Sequence, residues 1–169
     1  MRTMNDHALM EEALRLARAT ALLGNVPVGA VVSHDGRLVA GAANLRDTLG
    51  DPTAHAELLA LRDAARALGS WRLEGATLYV TVEPCAMCAG AILQARVGRV
   101  VYGAPEPKTG AVASTAELLK GQPVTVDAGL CEDACRETMT SFFDTLRSAR
   151  ARDRSKGVYG EMAELVEGA

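Results

Sequence analysis

Residues 77–93, TLYVTVEPCAMCAGAIL, decide how the chain is to be folded. With Ala76 in front, the first part alternates and is rich in β-branched residues, which predicts a strand over 76–82. The second part, 85–95, is a run of small and apolar residues that predicts a helix. Pro84 stands between them, where entry into a helix loses no intrahelical N–H. Cys85 and Cys88 therefore sit at a helix start, three positions apart. Such a pair fits a redox couple, half of a structural zinc knot, part of a catalytic metal site, or two buried small residues.

Working outward, 5–23 predicts a helix. Leu9, Leu16 and Leu23 recur at sevens, and Met10, Leu14, Ala17 and Ala21 widen the apolar stripe. Asn5 or Asp6 caps its start and Gly24 stops it. Apolar runs at 28–32 and 38–43 flank Ser33-His34-Asp35-Gly36, and Asp-Gly in that setting signals a hairpin. Residues 54–68 predict a helix ending before Gly69, and 99–103 a short strand. The segment 104–121 carries two prolines and two glycines around Lys108-Thr109-Gly110, then a short helical piece ending at Gly121. A last strand is expected within 123–129 and a long helix from Cys131 to Arg154. An opening hairpin followed by alternating helices and strands implies an α/β domain of three layers around a mixed five-stranded sheet. We assign 1–154 to one domain. Residues 155–169 are a C-terminal tail whose weak patterning leaves its order open.

The chain has 169 residues, enough for one domain with a substantial core. Aromatic residues make up only 4%, so that core rests on Ala, Val and Leu. A net charge of −3 argues against a protein that coats nucleic acid through bulk positive charge, while a local basic patch is compatible with it. The N-terminus is polar and amphipathic, unlike a signal peptide, and no run approaches the roughly 20 apolar residues of a membrane span. A cytoplasmic protein is expected, in which four cysteines point to metal or catalysis rather than disulfides.

Thirty positions before Cys85 lies Thr53-Ala54-His55-Ala56-Glu57, which opens the 54–68 helix. Helix N-termini stabilise negative charge and favour the thiolate form that binds metal. His55, Cys85 and Cys88 together give a nitrogen and two sulfurs, a set suited to one zinc ion with a fourth position left for water. Glu57 is then a candidate proton shuttle. On an ideal helix it would face away from His55, but at a helix start both can approach the axis. A four-ligand structural site is the rival, with His7, His34, Cys131 or Cys135 as the fourth donor. Otherwise Cys131 and Cys135 are packing residues, and His7 and His34 lie on the surface.

His-x-Glu followed by Pro-Cys-x-x-Cys is an established signature of zinc deaminases, and these residues resemble the zinc-dependent cytidine-deaminase superfamily. VPVGAV (26–31), Asn44, DPTAHAE (51–57), ATLYVTVEPCAMCAGA (76–91) and GRVVYGAPEPKTGA (98–111) are most similar to its branch of bacterial tRNA-specific adenosine deaminases. The resemblance runs from about residue 6 to 147. It implies a cytidine-deaminase-like fold, one zinc per subunit on His55, Cys85 and Cys88, Glu57 as proton shuttle, and a homodimer. The implied reaction is hydrolysis of adenosine to inosine at the wobble position of a tRNA anticodon stem-loop. Asn44, the N–H of Ala56 and the carbonyl of Glu83 would bind the base, with Pro27 and Val28 lining the pocket. Lys108 would reach phosphate or ribose, and Phe143 would cradle the anticodon loop. Glu106 replaces an expected aspartate at a ribose contact. Arg147, Arg150, Arg152, Arg154 and Lys156 form a basic run that fits an RNA-facing surface or a solvated helix end. Within the superfamily, deamination of guanine or a cytosine compound is the rival activity. A non-catalytic zinc-stabilised RNA-binding module is the rival from another class.

Overall fold

The computed structural model describes residues 3–167, with side chains described through residue 152. The chain divides into two compact units, Met1–Met139 and Thr140–Ala169. In the first unit the elements are α1 (Asp6–Ala21), β1 (Gly29–His34), β2 (Arg37–Ala43), α2 (Arg46–Leu49), α3 (Ala56–Leu68), β3 (Ala76–Val82), α4 (Ala86–Gln94), β4 (Arg99–Ala104) and β5 (Thr125–Ala128). Helix α5 (Glu132–Glu167) begins in the first unit and continues into the second.

The sheet has the order β2-β1-β3-β4-β5. β1 pairs antiparallel with β2 and β3, while β3–β4 and β4–β5 are parallel, so the sheet is mixed as expected. Asp35 (φ 51°) and Gly36 (φ 68°) make the two-residue hairpin turn, whose positive φ values match the twist of the flanking strands. Alternation along the strands sorts the core onto two faces. Val32, Leu78, Val80 and Val100 meet Ala60 and Ala64 of α3 and Ala89 and Ile92 of α4. Val31, Tyr79 and Val101 meet Leu9, Met10 and Ala13 of α1 and Cys135 of α5. The three layers are thus α1 with the opening of α5, the sheet, and α3 with α4.

Asn5 caps α1 by accepting from the Ala8 N–H at 2.9 Å. Three elements depart from the sequence-based expectation, one being α5, which runs on to Glu167 where a helix ending at Arg154 was expected. Residues 105–121 form successive turns and no helical piece precedes Gly121. The turns close on local bonds such as Thr115 N–H to the Gly110 carbonyl at 2.8 Å and Lys120 N–H to the Glu117 carbonyl at 3.1 Å. A four-residue helix, α2, was not anticipated, since it is too short to show periodicity. In the second unit Phe142 and Phe143 stack edge to face at 5.4 Å, and Arg147 pairs with Asp144. The side chains of Arg154 and Lys156, and of the 155–169 tail, lie outside the described residues.

Candidate metal and active site

His55 and Cys85 are the N-cap residues of α3 and α4, both in extended conformation. The His-x-Glu spacing therefore never faces the helical constraint that would separate the two side chains. His55 points from outside the helix, and Glu57 projects from its first turn. His55 Nδ1 lies 3.7 Å from Cys85 Sγ and 3.6 Å from Cys88 Sγ. The edge of a zinc tetrahedron with one imidazole nitrogen and one thiolate is about 3.6 Å, given metal–ligand bonds of about 2.0–2.3 Å. Both nitrogen–sulfur distances match that edge, and the donor set suits a zinc ion.

The ligand atoms of His55, Cys85 and Cys88 lie within 4.8 Å of one another, and no fourth His, Cys, Asp or Glu joins them among the described residues. Cys135 is buried in the α1 layer, on the other face of the sheet. Cys131 packs beside it, and His34 ends β1 at the far end of the sheet. His7 is exposed. The four-ligand rival has no donor in place. His7, Glu11 and Cys131 do group elsewhere, but two of the three are exposed.

Charge in the cluster is strongly redistributed. A hydrogen bond from the Cys88 thiol, then the approach of His55, hold the Cys85 thiol at about 3. Cys88 moves upward because of that same bond and its burial. His55 is raised first by its bond to Cys85. Glu57 is only 4% exposed, and burial raises its carboxyl above the ordinary range. A carboxyl raised in this way is a stronger base than an ordinary carboxylate, as a proton shuttle requires.

His55, Glu57 and Cys85 form part of the wall of an open cleft of about 140 Å³. Val26, Val28, Asn44, Arg46, Ala56, Val82, Glu83, Glu106, Thr109 and Met139 complete the wall. Asn44 is buried and holds its side chain between the Val26 carbonyl (3.0 Å) and the Arg46 N–H (3.2 Å). Pro27 is buried but does not face the cleft; Val26, not singled out from sequence, takes that wall. Lys108 is exposed and off the cleft wall, where its neighbour Thr109 stands instead. Phe143 lies in the second unit, 38% exposed.

Sequence reasoning missed three contributors. Arg46 is an exposed cation in the cleft wall. Buried Asn25 accepts at Oδ1 from the Asp47 and Thr48 N–H groups, both at 3.1 Å, and so caps α2 from a distance. The Glu83 carboxylate, assigned only a carbonyl role, gathers the loop after β4 through four backbone N–H groups and the Ser114 hydroxyl. A glutamate directly before Pro-Cys was the visible signal for the last of these, but its partners lie 23 to 31 residues away.

A profile of the MafB19-like deaminase family matches residues 4–147. The tRNA-specific adenosine deaminase of Bacillus subtilis (strain 168) is 43% identical over 153 residues, covering 88% of this chain and 95% of that protein. A structure from work on A-to-I editing by tRNA:A34 deaminases at the wobble position of transfer RNA superposes with a TM-score of 0.75 at 45% identity. It covers 78% of this chain and 98% of its own. A guanine deaminase from Nitrosomonas europaea superposes equally well, with a TM-score of 0.75, but at 26% identity over 83% of this chain and 86% of its own. The fold is thus common to deaminases of different substrates, and sequence separates them. The chain belongs to the tRNA-specific adenosine deaminases, within the MafB19-like deaminase family.

Proposed function

We propose that the protein converts adenosine to inosine by hydrolysis at the wobble position of a tRNA anticodon stem-loop. The observation that carries this is the three-donor cluster with a buried glutamate beside it, opening on a base-sized cleft in a chain of this family. His55, Cys85 and Cys88 hold one zinc ion per subunit. Zinc bound there supplies the Lewis acidity that brings a water molecule's pKa toward neutrality. Glu57 would take a proton from the attacking water and deliver it to N1 of adenine, then take the proton of the new C6 hydroxyl and pass it to the amine, which leaves as ammonia while the C6 carbonyl forms. Burial favours this cycle, because it keeps the carboxyl basic enough to accept the proton. Asn44 and the Ala56 N–H orient the base edge, and the Glu83 carbonyl accepts from it. Val28 and Val26 pack on its face. Glu106 and Lys108 meet the sugar-phosphate, and Phe143 packs on the anticodon loop.

A base inside a duplex cannot enter such a cleft, so the unpaired anticodon loop is the natural substrate. For assembly we carry the family's homodimer, supported by exposed Leu68, Trp71 and Met87 on and around α3 and α4. Among the described residues no helix is long and apolar enough to cross a membrane, which is compatible with a cytoplasmic site of action.

The test incubates zinc-loaded protein with an anticodon stem-loop bearing a wobble adenosine, beside guanine and cytidine. Inosine is expected only from the stem-loop. Glu57→Gln should keep its zinc and lose turnover by about 10²–10⁴-fold. Ammonia from guanine with no inosine would transfer the chain to the guanine-deaminating branch. Unchanged cellular activity of Glu57→Ala would leave only a binding module.

A further inference from the structure

The loop that follows β4 brings Glu106 and Thr109 to the cleft, and Lys108 stands beside them. It contains two prolines, Pro105 and Pro107, and no regular secondary structure, so something outside it must fix its position. Most of that anchoring comes from one side chain. Glu83 Oε1 accepts from the N–H groups of Val112 (3.1 Å), Ala113 (2.8 Å) and Ser114 (2.9 Å). Oε2 accepts from the Glu106 N–H at 3.0 Å and from the Ser114 hydroxyl. Glu83 is 3% exposed, and among the described residues its recorded partners are loop donors with no cation. Carboxylate–N–H bonds are among the stronger hydrogen bonds, and five on one buried group are costly to break.

The approach is close enough to dictate sequence elsewhere. A Cβ at Gly110 would collide with the Glu83 carboxylate and the Glu106 carbonyl. The same tripeptide ties the loop to the metal ligand. The Pro84 carbonyl accepts from the Ala111 N–H at 2.9 Å, and Cys85 forms an isolated bridge with Gly110. Glu83, Pro84 and Cys85 therefore work in two directions. Cys85 turns toward His55, while Glu83 and Pro84 hold the loop against it.

We infer that the Glu83 carboxylate is a positioning residue for substrate. It locks the 105–114 loop over the cleft, so that Glu106 and Lys108 meet the sugar-phosphate of the extruded nucleotide. It does not take part in proton transfer. This rests on the nucleotide-binding role proposed above, and the first readout below is independent of that role.

Glu83→Gln separates the two halves of the lock. The amide oxygen will face the three N–H groups of Val112, Ala113 and Ser114, since the reverse orientation sets an NH₂ against all three. Its NH₂ then faces the Glu106 N–H, donor against donor, while the Ser114 hydroxyl can turn to accept. Amide hydrogen exchange on the zinc-loaded variant should show lost protection at Glu106 and retained protection at residues 112–114. In steady-state assays on the anticodon stem-loop, KM should rise about tenfold with kcat within about threefold, the signature of lost positioning rather than lost chemistry. Zinc content should stay at the wild-type value. Ser114→Ala, which removes one donor and keeps the carboxylate, should leave Glu106 protected and KM close to wild type. Wild-type exchange at Glu106 in Glu83→Gln would overturn the lock. A collapse of kcat with KM unchanged would overturn the positioning role and move Glu83 into the chemistry. If neither enzyme turns over the stem-loop but Glu106 loses protection as described, the lock stands and the substrate assignment fails.

Discussion

A thiol can be ligand, redox partner or filler, and in this chain the surroundings of each decide which. Cys85 and Cys88 lie at helix starts near an imidazole, with Cys85 strongly biased toward thiolate. Cys135 is pushed up to about 12, chiefly by burial, and has no such bias. It occupies space above β4 that a side chain would otherwise need: a Cβ on Gly103 would run into its sulfur and into the Thr81 carbonyl. Gly103→Ala should therefore destabilise the fold by about 1–3 kcal/mol through overpacking, read as a lower urea midpoint with an unchanged slope. Cys135→Ala combined with Gly103→Ala should recover part of that loss, because the sulfur is the nearest of the three clashing atoms, ahead of the Thr81 carbonyl oxygen and the Cys135 Cβ. No recovery would mean that the Thr81 carbonyl and the Cys135 Cβ, which that substitution leaves in place, set the limit.

At the scale of elements, locally encoded structure was legible and long-range structure was not. Asp-Gly between two apolar runs gave the hairpin, and alternation gave β3 with its bounds of Ala76–Val82. Pro84 and the small residues after it gave α4. The clustering of His55, Cys85 and Cys88 was legible because helix starts, proline and thiol chemistry all act over a few residues. The helical piece expected before Gly121 gives way to turns closed by short-range bonds such as Lys120 N–H to the Glu117 carbonyl, while the first part of the segment is fixed by the Glu83 carboxylate, 23 to 31 residues earlier in the chain. Helix α2 was invisible for a similar reason. Its own N-cap, Leu45, contributes no side-chain bond, and Asn25 supplies the missing acceptor. Asn25 is fully buried, and its Nδ2 also donates to Thr48 Oγ at 2.7 Å. Asn25→Ala should strand two backbone N–H groups at the start of α2 and cost about 2 kcal/mol. Because α2 follows Asn44 and contains Arg46, both on the cleft wall, the same variant should raise KM for the stem-loop more than it lowers kcat. A stability loss with KM unaltered would show that α2 and the cleft wall are held independently.

Across the whole first unit, one polar cluster ties the α1 layer to three strands. Arg99 of β4 donates from Nη2 to Asp6 Oδ2 of α1 at 2.7 Å and from Nε to Asp127 Oδ2 of β5 at 2.7 Å. Tyr79 of β3 donates its hydroxyl to Asp6 Oδ1, also at 2.7 Å. Arg99 and then Tyr79 hold the Asp6 carboxyl below the usual carboxylate range. Burial first, then the bond to Asp6, push the Tyr79 phenol up to about 12. The two shifts bound stability from opposite sides. A lowered carboxyl contributes fully above its unfolded pKa of about 3.9 and loses that contribution as pH falls through its folded value. A raised phenol contributes fully below its unfolded pKa of about 10 and loses that contribution as pH rises toward 12. Urea midpoints measured from pH 3 to 11 should accordingly trace a plateau falling at both ends. Asp6→Asn should flatten the acid limb, and Tyr79→Phe the alkaline one, each mostly sparing the other. Asp6 and Arg99 are partly exposed, so 1 M salt should shrink the acid limb as well. An acid limb of unchanged depth in Asp6→Asn would assign the acid sensitivity to other carboxylates and leave this cluster a matter of packing alone.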